Sequence, residues 1–122
     1  HHLENARLVG LLYAQGANLS ALQKPEKIYL QNSNLAYALA SNVPNPGNAR
    51  ETFFFNQTGF RHQVSYALAG DFVVDDRWTV EVGGKTKGNE QITAVQDSYR
   101  VLDQIEVGMG NSIPLWLFGM MY

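Results

Sequence analysis

Asp71 and Glu81 lie on two short runs, Gly70-Asp71-Phe72-Val73-Val74 and Trp78-Thr79-Val80-Glu81-Val82-Gly83. Each run alternates with period two, the signal of a half-buried strand. The polar triplet Asp75-Asp76-Arg77 between them reads as a hairpin loop. If that loop closes with Val74 opposite Trp78, then Phe72 faces Val80 and Asp71 faces Glu81. Opposed side chains on neighbouring strands have Cβ atoms about 4.5–5.5 Å apart, and like charges there are destabilising. A divalent cation between the carboxylates removes the repulsion, since Mg²⁺ takes one or two carboxylates with water completing its shell. Raised pKa values are another escape. The bland alternative puts Asp71 at a strand start and Glu81 in solvent, and a one-residue slip dissolves the pair altogether.

The same register gives the hairpin an apolar face of Phe72, Val74, Trp78, Val80 and Val82. Its other face carries Asp71, Val73, Thr79, Glu81 and Gly83. Around it, Leu3 to Tyr13 fits a short helix or a buried strand, Gln15 to Gln23 reads as a loop and Lys27 to Leu30 as a strand. Leu35 to Leu39 reads as a short helix. Asn42 to Gly47, with two prolines and a glycine, is the best internal boundary. It divides an N-terminal extension, residues 1–46, from a core, residues 47–122. Asn48-Ala49-Arg50-Glu51 has the form of a capping box, with Asn48 as N-cap and Glu51 closing it. The helix continues through Thr52 to Gln57. A strand is expected over Gln63 to Ala67, a short helix opening at Glu90, a strand over Tyr99 to Val107, and a short apolar helix over Pro114 to Tyr122. This order predicts an α/β sandwich around one mixed sheet.

Composition narrows the classes. The chain has 122 residues, 45% hydrophobic and 16% charged, as expected of one small globular domain. A formal net charge of −2 and a pI of 5.9 do not support a purely electrostatic affinity for nucleic acid. There is no cysteine, so disulfides and thiolate metal sites are excluded and a reducing, cytoplasmic setting is compatible. No apolar run approaches the length of a membrane span, so no membrane partner is expected. His1-His2 reads as a tag remnant and enters no site.

Arg50-Glu51-Thr52-Phe53-Phe54, Gly70 to Val74 and Val80 to Lys85 together resemble a known family. The segments Lys24 to Leu30, Asn32 to Leu39 and Ile113 to Gly119 match it too. It is the domain of unknown function at the C-terminus of predicted bacterial and archaeal AAA+ ATPases. The resemblance covers roughly Leu3 to Tyr122. It implies a restriction-endonuclease-like, PD-(D/E)xK fold: a central mixed sheet flanked by helices, plus an N-terminal strand/helix extension. That extension would be the tail of a winged-helix region, with Leu8–Tyr13 and Lys27–Leu30 as paired strands. It also implies an upstream ATPase module that this chain does not contain.

Carried across by position, Asp71 takes the metal-binding aspartate place, Glu81 the acidic place of the second strand, and Glu51 the acidic place on the first helix. The implied cofactor is Mg²⁺ or Mn²⁺, and the implied reaction is phosphodiester hydrolysis of DNA. In active members a lysine follows the glutamate by two residues and helps orient or activate the attacking water. Gly83 stands there in this chain. Lys85 is the nearest candidate, about 13 Å from Glu81 along an unbroken strand at roughly 3.3 Å per residue. Only a bend at Gly83-Gly84 returns its ammonium to the site.

Other signals are weaker. Gly84-Lys85-Thr86 is no phosphate-binding loop, because Thr79 stands where the first glycine belongs. Arg50, Arg61 and His62 are candidate phosphate contacts. Gln91 lacks the tyrosine partner found in some related nucleases, since Val95 occupies that place. Trp116, Phe118, Met120 and Met121 form either core or a surface for a missing domain or a second subunit. Two functions follow: a nuclease-like domain with Asp71, Glu81 and Lys85 as catalytic residues and Asp71, Glu81 and Glu51 as metal ligands, or an inactive interaction or assembly module of the ATPase.

Overall fold

In the computed structural model, which describes residues 8–15, 24–31 and 45–121, the elements run in the following order. Strands β1 (Val9–Leu12) and β2 (Lys27–Leu30) precede helix α1 (Pro46–Thr58). Strands β3 (Val64–Tyr66), β4 (Phe72–Val74), β5 (Trp78–Gly83), β6 (Ser98–Leu102) and β7 (Ser112–Pro114) follow, and a 3₁₀ helix (Leu115–Met120) closes the chain. The architecture is α/β. A five-stranded mixed sheet has the order β3-β4-β5-β6-β7, antiparallel across its first two pairings and parallel across its last two.

The central hairpin closes as its alternation predicts, with Val74 opposite Trp78 and Phe72 opposite Val80. Asp75 and Asp76 both adopt positive φ in its loop, a conformation short polar side chains tolerate. The apolar face of β4 and β5 packs under Phe54, Leu115 and Phe118, so α1 and the 3₁₀ helix cover the same face of the sheet. Phe54 meets Phe72 at 5.1 Å and Phe118 at 4.9 Å between ring centroids. Strands β1 and β2 pair antiparallel and join this core rather than standing apart. Leu12 and Tyr29 are buried in it, and the Tyr66 N–H donates to the Tyr13 carbonyl.

Several sequence expectations need correction. The N-cap of α1 is Asn45, whose Oδ1 accepts from the N–H groups of Gly47 and Asn48 at 2.9 and 3.3 Å. Pro46, which has no N–H to satisfy, opens the helix one turn earlier than the Asn48 box predicts. Residues 90–94 form successive turns, without a helix. Strand β6 stops at Leu102, because Asp103-Gln104 turn and Gln104 takes a positive φ of 64°. The apolar C-terminus is a 3₁₀ helix preceded by the unanticipated strand β7. The expected helix at Leu35–Leu39 and the loop at residues 16–23 lie outside the described residues. Among the described residues no helix is long and apolar enough to cross a membrane.

Candidate functional site

Asp71, Glu81 and Glu51 are brought to the end of the hairpin remote from its loop. Gly70 delivers the chain there at a φ of +78°, where a Cβ would meet the Val80 carbonyl at 3.1 Å. The regular pairing ends at Phe72. Beyond it the Asp71 N–H donates to the Val80 carbonyl at 2.8 Å, and the Val82 N–H donates to Asp71 Oδ2 at 2.8 Å. The side chain of Asp71 thus takes the place of a backbone acceptor. Burial pushes its carboxyl up to about 6; the Val82 N–H opposes that shift, and the charges of Glu51 and Glu81 add to it. The carboxylate repulsion expected from the register is thus a lesser contribution to a rise that burial dominates.

Glu81 is 2% exposed, on the strand whose residues from Thr79 to Gly83 are all buried. Its Oε1 accepts from Lys87 Nζ at 2.7 Å. Its Oε2 is buried with no hydrogen-bond partner. The bend expected at Gly83-Gly84 falls later: β5 runs through Gly83, and the chain turns at Lys85-Thr86, where the Lys87 N–H donates to the Gly84 carbonyl at 3.0 Å. It returns Lys87 to Glu81, while Lys85 is exposed at the turn. A Cβ on Gly83 would lie 2.7 Å from Lys87 Cβ and 2.6 Å from its Cγ. Lys87 therefore occupies the space that a side chain at position 83 would need. Its ammonium is held above the ordinary lysine range by the bond to Glu81, against partial desolvation.

Arg100 fixes that lysine from the neighbouring strand. It stands opposite Glu81 in the parallel pairing of β5 and β6, and its Nη1 donates to the Lys87 carbonyl at 2.9 Å. Neither Lys87 nor Arg100 figured among the expected catalytic or metal-binding residues. The signal for Lys87 was a missing side chain: a glycine where a lysine was expected leaves room for one from elsewhere.

Glu51 does not cap its helix. Its Oε2 accepts from Tyr29 Oη at 2.7 Å and from Lys27 Nζ at 3.2 Å, which ties β2 to α1. Burial, reinforced by that hydrogen bond to Glu51, pushes the Tyr29 hydroxyl above its ordinary range. Among the described residues no three His, Cys, Asp or Glu side chains converge as a metal-holding group. Arg50 pairs with Asp103 at 3.1 Å and His62 with Asp75 at 2.6 Å, so both are engaged within the protein.

The donor set at Asp71 and Glu81 fits a small hard cation: two carboxylates, one just before β4 and one on β5 with a buried oxygen lacking any partner. The chemistry open to the arrangement is binding of such an ion, with an ammonium fixed at the same carboxylate. No family model, no curated protein and no solved structure matches this chain, so the reading of the site rests on its own geometry.

Proposed function

We propose that the chain is a restriction-endonuclease-like domain of a larger AAA+ ATPase that binds Mg²⁺ or Mn²⁺ through Asp71 and Glu81 and hydrolyses phosphodiester bonds in DNA. The observation that carries this reading is the buried Glu81, with Lys87 on one oxygen and nothing on the other. Lys87 takes the water-orienting role otherwise given to Lys85, because its ammonium is the one beside the glutamate. A bound divalent ion would polarise the phosphodiester and offset the charge gathering on it. Asp71 must lose its proton to bind that ion, so binding strengthens as pH rises through about 6. Arg100 holds the backbone of Lys87 and positions its ammonium. In the hydrolysis a water oxygen bonds to phosphorus, the bond to the ester oxygen breaks, and the leaving oxygen takes up a proton.

The test is thermal unfolding with and without Mn²⁺, followed by nicking of plasmid DNA. An ion that binds only the native state adds about 2.7 kcal/mol at a hundred times its dissociation constant. The expected result is a rise in midpoint that Glu81→Gln abolishes, with cleavage lost in Lys87→Met and kept in Lys85→Met. Cleavage surviving both Asp71→Asn and Glu81→Gln would be contamination and would end the enzyme reading.

A second reading, an inactive assembly module of the same ATPase, draws on two observations. Lys87 already neutralises Glu81 without an ion. Trp116, Leu117 and Met120 also stand exposed on the 3₁₀ helix, an apolar surface suited to another domain or a second copy. No rise in midpoint with Mn²⁺ would favour it.

A further inference from the structure

Glu81 carries its carboxylate where water does not reach it, since the residue is buried and Oε2 has no partner. Among the described residues, the polar group that meets this carboxylate is the ammonium of Lys87, 2.7 Å from Oε1. A carboxylate buried without a counter-charge is strongly destabilising, so the lysine stands in for a cation. It reaches Glu81 across the strand itself. Side chains two apart on a strand share a face, which puts the space above Gly83 next to Glu81. Lys87 Cβ, Cγ and Cδ fill that space, at 2.7, 2.6 and 3.0 Å from where a Cβ on Gly83 would lie. The lysine remains partly exposed above a buried glutamate, so an ion arriving from solvent meets Lys87 before it meets Glu81.

The backbone that carries this lysine is fixed, while its head is free to turn. The Lys87 N–H donates to the Gly84 carbonyl at 3.0 Å, and Arg100 Nη1 donates to the Lys87 carbonyl at 2.9 Å. The ammonium sits beyond those anchors on a flexible four-carbon stem. The charges of Asp71 and Glu90 act on it in addition to that of Glu81. Glu90 is exposed, so an ammonium that leaves Glu81 passes into water near another carboxylate.

We infer that Lys87 is a displaceable counter-ion: its ammonium holds the cation's place on Glu81 and leaves for water when a divalent ion binds. This rests on the reading of Asp71 and Glu81 as a metal site. The exchange favours a divalent ion, because one positive charge leaves and two arrive beside two carboxylates. A monovalent ion replaces the ammonium charge for charge and forfeits its charged hydrogen bond. Lys87 therefore sets the selectivity of the site for divalent ions. Once displaced, its head lies next to the ion, where the water-orienting role needs it.

The probe is Mn²⁺, titrated into the full chain and into its Lys87→Met and Glu81→Gln variants while free Mn²⁺ is read by EPR. Lys87→Met should bind the ion about tenfold or more tightly than the wild type, the worth of one charged hydrogen bond. Glu81→Gln should not bind it. Equal or weaker binding by Lys87→Met, with the wild type binding, would overturn the inference and leave the metal site standing. Binding that Glu81→Gln retains, or binding by neither wild type nor Lys87→Met, would end the metal reading and the inference with it. If Lys87→Met does not fold, the wild type decides alone, through Mg²⁺ titration followed by NMR at Lys87 Nζ and Glu81 Cδ. Both resonances should move with one midpoint. A shift at Glu81 with Lys87 Nζ unmoved would overturn the inference, and no shift at either would end the metal reading as well.

Discussion

Asp71 and Asp75 flank the same short strand, yet their protons are held in opposite senses. Asp71 is withdrawn from water and set near two other carboxylates, with the Val82 N–H and the Lys27 charge in partial compensation, and its carboxyl rises to about 6. Asp75 stands in solvent with a histidine on one oxygen and an N–H on the other, and its carboxyl falls. Residue type and strand are the same, and solvent access and partners differ. The comparison teaches that the Asp71 end of this hairpin is the one where burial, with neighbouring carboxylates adding to it, outweighs the groups that favour the charge. At the loop end each oxygen of Asp75 has its own partner.

Removing Lys87 should break this contrast most severely. Lys87→Ala leaves the Glu81 carboxylate buried without its counter-charge, and a loss of about 3 kcal/mol is expected in urea unfolding. Glu81→Gln should be milder, since Lys87 is 36% exposed and can turn its ammonium to water. Gly83→Ala comes next. Its Cβ would overlap the Lys87 stem, and about 2 kcal/mol should be lost as the lysine is displaced.

The two aspartates themselves sharpen the comparison through pH. For Asp71 the folded carboxyl is raised, so between pH 4 and 6 the native state keeps a proton that the unfolded chain has released. Stability therefore falls as pH rises through that window. Asp71→Asn, which keeps an acceptor for the Val82 N–H, should abolish the fall. In metal-free buffer at pH 7.5 it should stabilise the protein by about 1 kcal/mol, allowing for residual solvent screening. For Asp75 the sign reverses: its contribution is present above the ordinary aspartate pKa and is lost as pH drops through its lowered folded value. The difference between wild type and Asp75→Asn should vanish below that pH, be small above it, and shrink further in salt.

Much of the hairpin was legible in the chain because period-two alternation and a polar loop are local features. The register of Val74 on Trp78 follows from them, as does the apolar face that meets α1. The start of α1 was misread because Asn45 and Asn48 are both able caps, and Pro46 decides in favour of the earlier one. The strand expected through Val107 ends early because parity alone does not reveal the turn at Asp103-Gln104. At the site, the approach of Asp71 and Glu81 was legible, but the identity of the lysine was not. Lys85 and Lys87 lie two residues apart on one turn, and the turn's hydrogen bond selects between them.

By itself the sequence determined the local periodicities, the absence of thiol chemistry, and the pairing that sets two carboxylates at one hairpin end. The tertiary structure alone decided the electrostatics. Burial of Glu81, the hold of Arg100 on Lys87 and the capture of Glu51 by Tyr29 and Lys27 all depend on groups distant in the chain. Desolvation and Coulomb interaction depend on what surrounds a charge in space, and hydrophobic patterning leaves those surroundings unstated.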